Sequence, residues 1–228
     1  MPKRQKTTTK RRAKGKSWVR RRGFEMTRPL FAKSVFPYEK WATLKYCEGY
    51  VTINPAVGSC TAYVFSANSP YDPNVTGVGH QPTGFDQYMA MYNKFVVYAS
   101  KIKVTGFNLD TETADVIAGV AIFDDAATVV TTERYMEQAL TDWRVIPAGA
   151  GASTVSFNTA WNATAFSGTI VGTNDLLHGS SSASPSKQWY YHVFGGATNT
   201  TDDPGTIKYS VEIEYRIKFF DPRTVGLS

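Results

Sequence analysis

The sequence is short of the residues from which most sites of chemistry are built. It has two cysteines, Cys47 and Cys60, too few for a disulfide framework. Free cysteines are ordinarily buried, and a reduced, buried pair is the expectation here. Its three histidines, His80, His178 and His192, show no His-x-x-x-His spacing and have no cysteine cluster beside them, which leaves zinc without a donor set. His80, inside Gly79-His80-Gln81-Pro82, reads as a loop residue held by a hydrogen bond. No Gly-x-Ser-x-Gly elbow sets a serine beside a base, and no Gly-x-x-x-x-Gly-Lys-Ser/Thr loop cradles a phosphate. The expectation is a protein that is not an enzyme and holds no cofactor. No stretch approaches the roughly 18 consecutive apolar residues of a membrane span. The basic N-terminus also lacks the apolar segment of a signal peptide, so the expectation is a protein kept inside the cell, without a membrane partner.

Acidic residues are missing altogether from the first 22 positions, where eleven residues are basic: Lys3, Arg4, Lys6, Lys10, Arg11, Arg12, Lys14, Lys16, Arg20, Arg21 and Arg22. Such a segment has almost nothing apolar to bury against the entropy of ordering, and its like charges repel. It reads as a disordered arm over 1–22 whose partner is a polyanion, and nucleic acid is the natural one. Removing those eleven from the 25 Lys+Arg of the chain leaves 14 against 19 Asp+Glu for residues 23–228. The remainder is therefore mildly acidic, with no general reason to bind phosphate. Eleven cations engaged on a single strand would give a log–log salt slope on the order of −8. Trp18 and Phe24, in and just after the basic run, are candidates for stacking on unpaired bases, or equally for docking the arm. No base-reading motif accompanies them, so little sequence specificity is expected.

Residues 23–43 mix Pro29 and Pro37 with aromatics and read as an extended tether. Beyond it, alternation predicts strands near 44–53, 59–66, 94–109, 115–124, 142–147, 153–161, 187–195 and 206–220. The last is the cleanest: Ile207, Tyr209, Val211, Ile213, Tyr215, Ile217 and Phe219 alternate with polar residues, which marks one buried and one wet face. In 94–109 the period slips near Ser100, where a bulge would restore the inward face. The run 116–123 is apolar throughout and predicts a central strand covered on both sides. Short helices are predicted over 85–91 and 132–140, the second capped by Thr132 with Tyr135, Met136, Ala139 and Leu140 on one face. Eight strands, no βα repeat and no internal repeat predict an all-β fold, an antiparallel jelly-roll sandwich over 44–228.

Sequons at Asn74, Asn162 and Asn199 read as polar loop chemistry. Asp124-Asp125, Glu112 with Asp115, and Asp202-Asp203 have the oxygens for a calcium ion at a subunit boundary, yet turn chemistry explains each pair and no metal is assigned.

A basic arm ahead of an eight-stranded sandwich resembles the capsid proteins of small icosahedral viruses. A block in the middle narrows this: Ser69-Pro70-Tyr71-Asp72-Pro73, then Gly79-His80-Gln81-Pro82-Thr83-Gly84-Phe85-Asp86-Gln87-Tyr88, Tyr92, and Ser100-Lys101-Ile102-Lys103-Val104. It resembles the block shared by capsid proteins of circular single-stranded DNA viruses that encode a replication protein, the circovirus-like group. The resemblance implies a single jelly roll, about sixty copies of which close into a small icosahedral shell. It also implies an arm that faces the genome inside and serves as a nuclear import signal read by a host receptor. The expected locations are the virion and, during assembly, the host nucleus. Tyr71, Tyr88, Met89, Met91, Tyr92 and Trp161 are candidate anchors between subunits, with core packing as the plainer reading. The alternative function is a cellular nucleic-acid-binding β-domain with a basic tail, which predicts a basic groove on the body. A sugar-binding or cupin-like jelly roll would need a His/Glu cluster that the sequence does not display.

Overall fold

A computed structural model describes residues 36–108, 114–148 and 154–224. Among the described residues nine strands form two sheets: β1 (Glu39–Ile53), β2 (Cys60–Ser66), β3 (Tyr92–Asn108), β4 (Val116–Phe123), β5 (Thr141–Ile146), β6 (Thr154–Asn162), β7 (His178–Gly179), β8 (Tyr190–Ala197) and β9 (Ile207–Pro222). One sheet runs β1-β9-β3-β6, with the two-residue β7 added against β3; the other runs β2-β8-β4-β5. Every pairing is antiparallel, and four of them nest: β1 with β9, β2 with β8, β3 with β6, and β4 with β5 innermost. A two-stranded ribbon folded over on itself in this way is a jelly roll.

The alternation in β9 explains its place. Its seven apolar side chains are all at most 1% exposed and lie in the core, Phe219 among them stacked on Tyr88, while β1 and β3 flank the strand in the plane. The bulge expected near Ser100 lies at Tyr98, where pairing with β9 steps from Val97 to Ala99. The extra residue lets Phe95 and Val97 face the core on one side of the bulge and Ile102 and Val104 on the other. β4 is central as expected: its outer face carries Ala121, buried with Tyr135 and Phe194 beneath the segment that holds α2 (Thr132–Met136).

Tyrosine hydroxyls bridge the two sheets through an otherwise apolar interior. Tyr215 on β9 donates to the Ser66 carbonyl across the core at 2.7 Å, and Tyr209 donates to the Phe194 carbonyl at 2.9 Å. Tyr191 on β8 accepts from Trp161 N–H and pairs at 2.7 Å with the Ser100 hydroxyl, which donates to the Ala67 carbonyl. Burial pushes all three phenols up, so they act as neutral hydrogen-bonding groups. Gly195 makes this possible: a Cβ there would meet Ile207 Cδ1 at 2.5 Å and Tyr209 Oη at 2.8 Å.

Several expectations need correction. β1 begins at Glu39 rather than 44, because β9 continues to Pro222 and Glu39–Thr43 pair with Phe220–Arg216, so the end of the expected tether is strand. The helix expected over 132–140 stops at Met136, since β5 starts at Thr141 and its pairing with β4 takes the chain away. Thr131, not Thr132, is its N-cap; Thr132 is buried, whereas Ala139 and Leu140 lie exposed off the helix. β8 starts at Tyr190 rather than 187, since Trp189 N–H donates to the Asn68 side chain and Lys187 N–H to the Leu176 carbonyl. A third helix, α3 (Ala163–Ser167), was not foreseen; Asn162 caps it by accepting from Thr164 and Ala165 N–H. Both cysteines are free, but only Cys60 is buried, its thiol pushed up to about 12 by desolvation; Cys47 is exposed.

Candidate functional site

The outer face of the five-stranded sheet, away from the core, is where charge collects. Antiparallel register places side chains in rows across it. One row runs Lys45, Glu214, Lys101, Ala160; the next Cys47, Glu212, Lys103, Asn158; the one on the other side Thr43, Arg216, Ala99, Asn162. Lys101 pairs with Glu214 at 2.9 Å and Lys45 reaches diagonally to Glu212 at 2.7 Å. Toward the start of β1, Lys218 contacts Glu39 at 2.9 Å; partial burial opposes its charge, but the carboxylate and the Tyr98 hydroxyl raise its pKa on balance. Lys103, Arg216 and Lys208 have no ion-pair partner among the described residues. Along the outer face stand seven cations, Lys45, Lys94, Lys101, Lys103, Lys208, Arg216 and Lys218, against three carboxylates, Glu39, Glu212 and Glu214.

Small side chains at the middle, Ala99 and Ala160, leave a furrow in this face. It comprises two contiguous depressions of about 490 and 380 Å³ that share Lys101, Ala160 and Glu214, with Lys103 and Asn158 at one end and Arg216 and Asn162 at the other. Aromatic rings lie beyond both ends. Trp41, 44% exposed, has the Tyr98 ring 4.6 Å away and the Arg216 guanidinium 5.1 Å from its centroid. Tyr50, 71% exposed, has Lys208 Nζ at 6.0 Å. The bulge is what turns Tyr98 outward beside Ala99 to meet Trp41.

The opposite side of the sandwich has the opposite sign. The segment between β4 and β5, whose α2 covers the outer side of that sheet, carries exposed Asp124, Asp125, Glu133 and Glu137 against Arg134, whereas Asp142 pairs with Arg144 at the β5 edge and accepts from Asn158 N–H of β6. Net charge over residues 23–228 conceals this uneven distribution. Lys101, Lys103 and Arg216 were visible in the sequence only as the wet positions of alternating strands. Their convergence depends on register, which one strand alone does not reveal.

The eleven arm residues, with Trp18 and Phe24, lie outside the described residues, as does Glu112. Of the candidate subunit anchors, Met89, Tyr92 and Trp161 are at most 2% exposed and belong to the protomer's own core, a correction that follows from the β3 start and β6 end being covered by α1 (Phe85–Met91) and α3. Tyr71, Tyr88 and Met91 are half-buried, with Tyr88 stacked on Phe219 at 4.6 Å. The block around Ser69 is built into its own loop: Ser69 N–H donates to Ser66 Oγ, Asn68 to the Lys187 carbonyl, and Gln81 to the Tyr71 carbonyl. His80 is exposed and contacts the Tyr46 ring at 4.8 Å, an aromatic contact in place of the expected hydrogen bond. Asp115 ties the start of β4 to the segment after β5 by accepting from Ala148 N–H, whereas Asp125 and Asp203 serve turns, accepting from Ala127 and Gly205 N–H. The sequon asparagines do the same, Asn74 for Gly77 and Asn199 for Thr201 and Asp202.

No protein-family model matches the sequence, and no curated protein matches it. Solved structures similar to the chain include that of mud crab tombus-like virus, at 12% identity and a TM-score of 0.48 over 84% of this chain and 94% of that one. The semi-empty virus-like particle of the giant freshwater prawn Macrobrachium rosenbergii nodavirus is similar at 9% identity and a TM-score of 0.47, over 85% of this chain and all of that one. The BFDV capsid protein, crystallised as a decamer, is similar at 12% identity and a TM-score of 0.40, over 79% and 98%.

Proposed function

We propose that this chain is a viral capsid protein that self-assembles into a small closed shell and packages a single-stranded genome through its Arg/Lys-rich arm. The observation that carries this reading is the division of charge across one jelly roll: a positive outer face on the β1-β9-β3-β6 sheet, and acidic Asp124, Asp125, Glu133 and Glu137 on the segment over the other sheet. A shell subunit needs that polarity, because one side meets a polyanion and the other meets solvent. The arm leads in sequence into β1, a strand of the positive sheet, and carries eleven cations of its own. Repeated identical contacts must close or grow without limit, and about sixty copies is the smallest icosahedral closure. Exposed apolar residues such as Val78, Val130, Trp143, Val145 and Ile170 supply contact area for neighbours. The resemblance of the 69–104 block favours a circular single-stranded DNA genome, with the arm also read by a nuclear import receptor.

Electron microscopy and sedimentation of the purified chain test this: uniform shells are expected, and monomer at every salt and pH defeats it. Nuclease digestion of nucleic acid extracted from the shells should show sensitivity to DNase and resistance to RNase. The second reading, a cellular nucleic-acid-binding β-domain with a basic tail, is favoured by one observation, the basic furrow it predicts on the body. It requires a chain that binds nucleic acid while remaining a monomer, which the same sedimentation run decides.

A further inference from the structure

We infer that the furrow on the outer face of the β1-β9-β3-β6 sheet is a second nucleic-acid site, separate from the arm, which takes an unpaired strand with its bases stacked on Trp41 and Tyr50. The inference rests on the packaging reading above and assigns residues of the folded body to it. Sequence-tolerant single-strand sites combine a positive groove that follows the backbone with aromatic faces for the bases. Both parts are present. Lys103 and Arg216 flank the Ala99–Ala160 floor without ion-pair partners among the described residues, and Lys101, its side chain 66% exposed, stands between them. Trp41 and Tyr50 stand beyond the two ends, each beside a cation, Arg216 and Lys208.

Length fits a strand rather than a single nucleotide. Lys208 and Arg216 are eight residues apart on β9, about 27 Å of extended chain. A duplex fits less well, since its bases are already stacked and offer these rings no face. Trp41 is also held by Tyr98, so ordering it on a base costs little rotamer entropy. Glu212 and Glu214 accept ion pairs from Lys45 and Lys101, which keeps their charge from opposing a phosphate at full strength. Nothing in this arrangement reads base edges, and nothing in it requires deoxyribose, so dT and rU strands should bind alike.

The test uses the full chain and a 20-mer of dT substituted with 5-iododeoxyuridine, irradiated after binding, with cross-links mapped by mass spectrometry. Cross-links at Trp41 or Tyr50 are expected alongside any at Trp18. Cross-links confined to residues 1–24 overturn the second site and leave packaging by the arm intact; failure to bind the 20-mer at all overturns both. In anisotropy titrations, Trp41→Ala should weaken binding roughly 5- to 150-fold while Trp41→Phe retains most of it. The pair Lys103→Gln with Arg216→Gln should reduce the log–log salt slope by about 1.4. Unchanged affinity in Trp41→Ala together with an unchanged slope in the double variant overturns the inference. Circular dichroism of each variant checks that the sandwich is intact, and the cross-linking of the unsubstituted chain stands whether or not a variant folds.

Discussion

His192 is completely buried on β8, and both of its ring nitrogens are committed. Nε2–H donates to the Asp125 carbonyl at 2.8 Å, while Nδ1, 3.2 Å away, accepts from the Tyr135 hydroxyl, which in turn accepts from Val129 N–H. The chain of bonds fastens the segment between β4 and α2 to the sheet and demands a neutral imidazole. Desolvation pushes the histidine below its ordinary 6.5, against smaller raising contributions from Asp125. A lowered folded-state value means the unfolded chain binds the extra proton first. Stability from this group is therefore complete above pH 6.5 and declines as pH falls from there toward the folded value. Thermal melts should show that decline in the unsubstituted chain and a shallower one in His192→Gln. Gly195 makes a second prediction at this scale. Gly195→Ala should destabilise the fold by about 1–3 kcal/mol through overpacking against Tyr209 and Ile207. Gly49→Ala, with open space around it, serves as the neutral control in the same urea titration. Neither the imidazole nor the glycine could be assigned such a role from the sequence, because each depends on what a distant strand places opposite it.

Elements were more legible, for a physical reason: period-two alternation is local, and β9 displays it over its whole inward face. The bulge in β3 and the central position of β4 could be read in the same way, from a slipped period and from an uninterrupted apolar run. Boundaries were less legible where pairing rather than composition decides them. Glu39–Thr43 has the aromatic and charged look of a tether, yet β9 extends far enough to pair with it. The last turn of the expected 132–140 helix yields to β5, since strand pairing with β4 outweighs helix propensity there. β9 lies between β1 and β3, so its core positions bear on both neighbours. Ile213→Ala, at a position with no exposure, should cost about 2–5 kcal/mol in chemical denaturation. Ser210→Ala, half-exposed on the opposite face, should shift the midpoint far less.

At the scale of the whole molecule, the proposed function has the arm and the sheet face divide the work of holding a polyanion, with the rest of the surface left for neighbouring copies. Deleting residues 1–22 should lower the nucleic acid recovered with assembled shells far more than it lowers the melting temperature of the body, as measured by absorbance ratio and calorimetry on the same preparation. The arm could be picked out from the sequence alone, since eleven cations without a carboxylate need no fold to be recognised, and it lies outside the described residues. The furrow was not legible: its cations are spread over β1, β3 and β9, and only the register brings them to one face. Trp161 shows the converse, an aromatic that reads as a contact anchor in sequence and is consumed by the protomer's own core.

The outermost of the nested pairs sets a clock on synthesis. Residues 39–53 leave the ribosome early, but their one strand partner among the described residues spans 207–222. At the usual 5–20 residues per second, β1 waits roughly 10–30 s for β9, and β3 lacks its partner on that side for much of the same interval. During that time the positive face does not exist as a surface, because its middle strand has not been made. A chain interrupted before residue 207 therefore carries a full cationic arm but neither a furrow nor a closed sandwich. On the proposed function, such a chain has the arm's cations to meet a polyanion but no finished sheet with which to take a place in a shell.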